Sequence, residues 1–390
     1  MIIVVAPYSP KSRTATPNLG AARKIEMVID MLAQMDRSIL LVNTAHNALG
    51  LAPVTVADIH VGGHAIREIT LSTLPYRLIG KVWNLMQVTS AVDDTLSLGH
   101  PTLVWLYNGY AFESLFGAKI AKRVDCPIIL EMEDWHFSRG RGINPKPFLD
   151  WWACGRLFPS VTHAFAVNSS LKARLEKEVP SCTLFPGFVS EGTKTIFEEF
   201  PPFLSDGRKI TVGYFGGLTF EKGAEIVLAL ADLLSTHVKL LVTGSGSLEV
   251  DFLARAAAHP ATLEFAGVVD EPTLLRFVAR CDVLLNPHSP IDSMANGVFP
   301  FKVIESVASG RLVISTPLPM DGLHEVLQGV HFVSHSVQSF LSAIECSRST
   351  YFEKKSAVAA GARAATLAFD SGGIRKIVDG VIRDNGFAGG

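Results

Sequence analysis

Lys302 and Glu305 stand at the head of an apolar stretch, FPFKVIESVASGRLVIST, that runs from Phe299 to Thr316. The pattern predicts a helix over Lys302–Ser309, a C-terminal cap at Gly310 and a strand at Leu312–Ser315. A lysine in the first turn opposes the helix dipole, and a phosphate bound there removes the conflict. One turn on, the carboxylate of Glu305 can only accept hydrogen bonds, which suits sugar hydroxyls. The alternative is a solvated Lys302 and a Glu305 paired with a local arginine. Residue chemistry alone leaves both open.

Two more turns carry similar chemistry. GYFGGLTFEKG places Gly216 and Gly217 after a strand-length run, with Lys222 and Gly223 entering a helix; VTGSGS places Gly244 and Gly246 in the same way. Glycine lets a ligand approach the backbone, and a lysine beside a helix N-terminus suits a phosphate. Ordinary tight turns would give the same pattern. In the N-terminal half, LEMEDWHF ends a strand with Glu131, Glu133 and Asp134. A carboxylate here would orient or deprotonate a hydroxyl, or balance a cation; solvated or capping carboxylates are the alternative. His136 beside them reads as a packing or surface residue. Asn108, at the end of LVWLYNGY, and Lys11 and Arg13, in the first loop, are further candidates, the two cations for an anionic acceptor.

The elements that must position these residues follow from the apolar pattern. With 390 residues, the chain is long enough for two domains of the usual ~100–200 residues. Strand-length runs alternate with amphipathic stretches, which predicts parallel sheets covered by helices. Strands are expected at Ile2–Ala6, Ile39–Val42, Leu103–Tyr107, Ile128–Glu131 and Ala164–Val167, and again at Ile210–Phe215, Lys239–Thr243, Leu263–Phe265, Val283–Asn286, Leu312–Ser315 and His331–Val333. The fold class is α/β, with two doubly wound Rossmann-like domains facing a central cleft. The expected bounds are 1–200, 201–365 and a C-terminal helix at 366–390 that returns to the first domain. Ser190–Lys209, with its turn residues and double proline, reads as the interdomain connection.

The composition, 48% hydrophobic and 18% charged, argues against disorder, and a net charge of −2 gives no electrostatic footprint for nucleic acid. Five scattered cysteines, none in a CxxC pair, read as small buried hydrophobes in a reducing compartment. No apolar run reaches the ~18 residues of a membrane span, and MIIVVAPYS lacks the marks of a secretory peptide, so a cytoplasmic location is expected. Arg139–Phe158 and Leu74–Met86 mix aromatic and basic residues. They read first as amphipathic helices covering the sheet, with an interfacial segment as the alternative.

Together, YFGGLTFEKG, LLVTGSGSLE, the stretch Leu263–Pro287 and FPFKVIESVASGRLVIST resemble, in order and spacing, the retaining glycosyltransferases of family GT4, which have the GT-B fold. The resemblance implies transfer of a sugar from a nucleotide-sugar, a UDP- or GDP-sugar, to a hydroxyl of a saccharide or lipid-linked acceptor. The setting it implies is bacterial surface-polysaccharide synthesis at the inner membrane face, with peripheral membrane association. It implies that Lys222 neutralises the donor diphosphate and that Glu305 binds the ribose. Gly216 and Gly217 admit the phosphates, and Gly244 and Gly246, with the backbone near Val268, border the base. Main-chain groups of Val298, Phe299, Pro300 and Phe301 face the sugar and phosphates, and Lys302 adds charge. Glu133 and Asp134 are the acceptor-side catalytic candidates, with Lys11, Arg13 and Asn108 binding the acceptor. No cofactor is expected, and no metal, since no DxD-like turn is present. Two departures stand out: Gly217 occupies a position where many relatives carry arginine, and Gly297 one where many carry a second glutamate. A GT-B-fold sugar-nucleotide epimerase and a non-catalytic nucleotide-sugar-binding protein are the rival readings.

Overall fold

The structure, a computed structural model, describes residues 1–10, 19–35, 37–45, 53–61, 63–72, 77–95, 99–135, 137, 145–202, 208–291 and 299–386. Lys11, Arg13, His136 and Val298 therefore lie outside the described residues. The chain divides into two compact units. One comprises Met1–Gly187, Met294–Phe299 and Gly372–Gly390; the other comprises Phe188–Ser293 and Pro300–Ser371.

The first unit is built on an eight-stranded sheet. Its centre is β1 (Ile2–Ala6), every residue of which is buried. A strand covered on both faces needs a continuous apolar run, and IIVVA supplies one. The other strands are β2 (Ile39–Asn43), β3 (Thr55–Val61), β4 (His64–Thr70), β5 (Leu103–Tyr107), β6 (Ile128–Met132), β7 (Val161–Ala166) and β8 (Cys182–Leu184). They run in the order β3-β4-β2-β1-β5-β6-β7-β8, parallel except for the antiparallel pair β3–β4. The order reverses between β1 and β5, which makes this a doubly wound sheet. Helices α1 (Leu19–Ala33), α2 (Arg77–Asp93), α3 (Ala111–Val124), α4 (Lys146–Leu157) and α5 (Ser169–Leu175) alternate with the strands.

The second unit repeats the plan with β9 (Ile210–Phe215), β10 (Val238–Thr243), β11 (Leu263–Phe265), β12 (Val283–Asn286), β13 (Leu312–Ser315) and β14 (His331–Phe332). All are parallel, in the order β11-β10-β9-β12-β13-β14. Here the reversal lies between β9 and β12. Its helices are α6 (Glu191–Glu199), α7 (Ala224–Leu233), α8 (Glu249–Ala258), α9 (Glu271–Arg280), α10 (Phe301–Ala308), α11 (His324–Leu327), α12 (Val337–Glu345) and α13 (Ser347–Ala368); α14 (Ser371–Asp384) follows.

Most expected strands form within a residue or two of their expected ends, but three features differ. The hairpin β3–β4 was not foreseen, because β3 is an exposed edge strand with little apolar signal. β7 begins at Val161, ahead of the expected Ala164. The stretch read as an interdomain connection holds a helix: Ser190 caps α6 by accepting from the Thr193 amide, and Ile196 is buried. As expected, Gly310 takes a left-handed conformation (φ 70°) after α10, its amide donating to the Val307 carbonyl at 2.9 Å.

Candidate functional site

In the second unit, the turns after β9, β10 and β11 are laced together by main-chain bonds. The Gly216 amide donates to the Thr243 carbonyl (3.0 Å), Leu218 to Ser245 (2.9 Å), Leu248 to Leu218 (3.0 Å) and Gly244 to Gly267 (2.8 Å). This lacing demands glycine at 244. A Cβ there would stand 1.7 Å from the Gly216 carbonyl oxygen, and the backbone has φ 139°. At Gly246 the same clash would come at 2.5 Å, with the Leu218 oxygen. These two glycines thus serve the fit of one turn on the next. Val268, just past Gly267, is half-buried beside them.

Two lysines reach the β9–α7 turn. A Cβ on Gly216 would lie 2.8 Å from Lys302 Nζ, and one on Gly217 would lie 3.5 Å from Lys222 Cγ. An ammonium group from the first turn of α10 and the stem of Lys222 therefore border adjacent glycines. Lys222 is itself held: its Nζ donates to Glu221 Oε1 (3.0 Å) and lies 3.0 Å from His288 Nε2. His288 Nδ1 is 2.7 Å from the Ser289 carbonyl, which only accepts, so Nδ1 carries the proton and Nε2 offers a lone pair to the ammonium. Burial above all, with Lys222 beside it, holds His288 below its usual value and so neutral. Tyr214 secures the same loop from beneath, its buried hydroxyl lying 2.7 Å from the Gly217 carbonyl and 3.2 Å from that of Lys222. His288 and Tyr214 are positioning residues that the sequence did not reveal.

Helix α10 buries Val303, Ile304, Val307 and Ala308 and leaves Lys302 exposed and Glu305 half-buried on one side. Its N-cap is Pro300, with no side-chain cap. Pro300 has no N–H, so the expected main-chain contacts to sugar and phosphate cannot include its nitrogen. Phe299 packs against the core of the first unit, and the Phe301 ring lies edge-on to Phe369 at 6.2 Å, so both rings serve packing.

In the first unit, the carboxylates after β6 are not simply solvated. Lys24, from α1, is buried and lies 2.8 Å from Glu133 Oε1 and 3.4 Å from Glu131 Oε1, with its ammonium 4.3 Å above the Phe185 ring. Glu131 is 1% exposed and accepts from Trp105 Nε1 at 2.8 Å. Burial pushes its carboxyl up to about 7, against the opposing pull of Lys24. Burial also lowers Lys24, but Glu133 and Glu131 outweigh it and hold the ammonium above its usual value. Tyr107 and Tyr110 are kept protonated, first by burial and then by the carboxylates around them.

Asn108 is buried in the left-handed region (φ 59°). Its Oδ1 accepts from the amides of Glu133 (2.9 Å) and Asp134 (3.4 Å), and its own amide donates to the Glu131 carbonyl (2.7 Å). It is thus a clamp on the carboxylate segment; the acceptor-binding role expected for it would have to be indirect. Glu133 is paired with Lys24, whereas Asp134 is exposed. Lys24 and the pairing of Glu131 went unseen in the sequence. Among the described residues, no group of His, Cys, Asp and Glu is arranged to hold a metal ion.

Residues 209–350, within the second unit, match the family described as glycosyl transferases group 1. Over the whole chain, solved structures share the fold at low identity. Sucrose-phosphate synthase from Thermosynechococcus elongatus aligns with a TM-score of 0.71 and 13% identity, over 100% of this chain and 99% of the other. HepE from Anabaena, in complex with UDP-glucose, aligns with a TM-score of 0.61 and 16% identity over 98% and 100%. The catalytic domain of starch synthase IV from Arabidopsis thaliana, bound to ADP and acarbose, aligns with 0.61 and 10% over 97% of each chain. Among curated proteins, none is significantly similar in sequence. The chain has the two Rossmann-like sheets of the GT-B glycosyltransferases.

Two predictions separate fitting from binding. Gly244→Ala should cost about 3 kcal/mol, since its Cβ meets backbone, whereas Gly216→Ala meets only the end of a flexible lysine and should melt like wild type while displacing the Lys302 ammonium. Urea unfolding of the two variants checks this. In the first unit, the folded-state value of Glu131 lies above its unfolded one. Its contribution to stability is therefore full below about pH 4.5 and is lost as pH rises through about 7. Glu131→Gln should remove this slope and gain about 3 kcal/mol at pH 8, read from melts between pH 5 and 8.

Proposed function

We propose that this protein is a retaining glycosyltransferase of the GT4 type, which moves a sugar from a UDP- or GDP-sugar to a hydroxyl of a saccharide or lipid-linked saccharide acceptor. The observation that carries the reading is the pair of lysines at one glycine turn. Lys302 lies against Gly216, and Lys222, oriented by neutral His288, lies against Gly217. Two cations beside the N-terminus of α10 form a site for a diphosphate. HepE is described in complex with UDP and with UDP-glucose, which supports a nucleotide-sugar as the ligand.

In this reaction the bond from the anomeric carbon to the β-phosphate oxygen breaks, and a bond from that carbon to the acceptor oxygen forms on the same face. The acceptor proton leaves with the departing phosphate or into solvent. The charge growing on the diphosphate is what Lys222, Lys302 and the helix dipole stabilise, in an arrangement fixed before the reaction starts. Glu305, one turn along α10 from Lys302, takes the ribose hydroxyls. In the first unit Glu133, paired with Lys24, and Asp134, exposed and with its amide held by Asn108, are the acceptor-side groups. A lipid-linked acceptor in surface-polysaccharide synthesis would bring the protein to the inner face of the membrane. No observation favours the epimerase or the non-catalytic reading.

A panel of UDP-, GDP-, ADP- and CMP-sugars tests this by thermal shift. The true donor at ~100 times its dissociation constant stabilises by about 2.7 kcal/mol. With that donor, Lys222→Ala, Lys302→Ala and Glu305→Ala should each weaken binding about ten- to a hundredfold, the worth of a charge-assisted hydrogen bond. A panel in which no nucleotide shifts the melt would sink the reading, and an unchanged affinity in Glu305→Ala would remove that residue from the ribose.

A further inference from the structure

The outer side of α2 is apolar where solvent should make it polar. Ile79 (59% exposed), Val82, Trp83 (45%) and Met86 follow the i, i+3, i+4, i+7 spacing of one helix face, while Asn84, Val88 and Val92 point inward. α4 does the same: Phe148, Leu149, Trp151 (54%) and Trp152 are exposed, and Asp150, Ala153, Cys154 and Leu157 are buried. α3 packs against both helices, so their outer sides belong to one layer. Two exposed apolar helix faces flanking one neighbour, with three tryptophans between them, mark an interaction site rather than ordinary solvent exposure.

The exposed charges on these helices are mostly cations. Lys122, Arg123, Lys146 and Arg156 are exposed, and Lys81 and Lys119 are half-buried. The carboxylates of these helices are buried or paired: buried Asp150 takes Lys146, buried Glu113 lies 3.6 Å from Lys81 Nζ, and Asp93 takes Arg123 at 3.0 Å, so Lys122 and Arg156 are the exposed cations outside these pairs. The exposed acids nearby, Asp94 and Asp125, fall just past the ends of α2 and α3. Arg156 lies over the Trp152 ring at 4.0 Å, an aromatic and a cation presented together. Apolar and aromatic side chains among cations suit an anionic lipid surface, with rings at the acyl boundary and ammonium and guanidinium groups among the headgroups. A second copy of the chain would bring like charges together. Among the described residues no helix is long and apolar enough to cross a membrane, so contact by these helices would be from one side.

We propose that the outer sides of α2 and α4 form a docking surface for an anionic lipid bilayer. The inference gives a place to the lipid-linked acceptor suggested above. Vesicle binding requires neither donor nor acceptor, however, so this surface and the enzymatic reading fail separately.

The test is flotation of the full chain with vesicles of phosphatidylcholine alone or with phosphatidylglycerol. The protein should float with the mixed vesicles, and weakly or not at all with the neutral ones. Raising the salt should release it. Trp83→Ser/Met86→Ser and Trp151→Ser/Trp152→Ser should each lose about tenfold in partitioning, and Lys122→Gln/Arg156→Gln more than tenfold, at about fivefold per charge. All three should keep the wild-type melting temperature and nucleotide-induced shift, since the replaced side chains are exposed. Three results would overturn the proposal: no flotation with anionic vesicles, flotation indifferent to these substitutions, or light scattering that shows a dimer lost in the same variants without vesicle binding.

Discussion

The Gly216 carbonyl oxygen passes where a side chain at residue 244 would begin. That approach sets the geometry of the second unit's site. It locks the turn after β9 against the turn after β10 through the bonds Gly216–Thr243 and Leu218–Ser245, and so fixes the glycine pair onto which the two lysines converge. The turn is rigid because its hydrogen bonds are spent on its neighbours. The lysines are supported from outside it, Lys222 by Glu221 and His288, and Lys302 by its place on α10. An ammonium group in the first turn of a helix opposes the helix dipole. On the reading proposed above, a bound diphosphate offsets that opposition.

The first unit treats charge in the opposite way. Lys24 stands between Glu131 and Glu133 in the interior, one ammonium to two acids, and Trp105 supplies Glu131 a further donor. Such a cluster is weak evidence for stability; removing Lys24, its one cation, would leave the acids uncompensated, whereas removing Glu131 leaves the Lys24–Glu133 pair intact. Asn108 accepts a strained backbone to hold the amides of Glu133 and Asp134, and a polar residue in the left-handed region persists only where its surroundings fix it. The result is a rigid edge on the sheet from which Asp134 projects.

Much of this fold was legible because parallel strands buried on both faces advertise themselves as apolar runs: β1, β5, β9, β12 and β13 fall where the sequence puts them, as does the short edge strand β11. The glycine turns and the Lys302–Glu305 helix were legible for a local reason too, since turn and cap chemistry acts over a few residues. What escaped was long-range or faint. His288 supports Lys222 across 66 positions, and Lys24 meets Glu131 only because α1 lies over the sheet. The edge strand β3 carries almost no apolar pattern, and the double proline at Pro201 and Pro202 drew attention away from the helix α6 just before it. The glycines at 244 and 246 are legible by residue type, but the backbone fit that requires them exists only in three dimensions.

The central claim is that two ammonium groups at the Gly216–Gly217 turn grip a pyrophosphate. A crystal structure of the protein soaked with the nucleoside diphosphate of its donor tests this most directly. The account predicts the β-phosphate against that turn, with Lys222 Nζ and Lys302 Nζ each within about 3 Å of its oxygens. A diphosphate bound anywhere else, touching neither lysine, would contradict it.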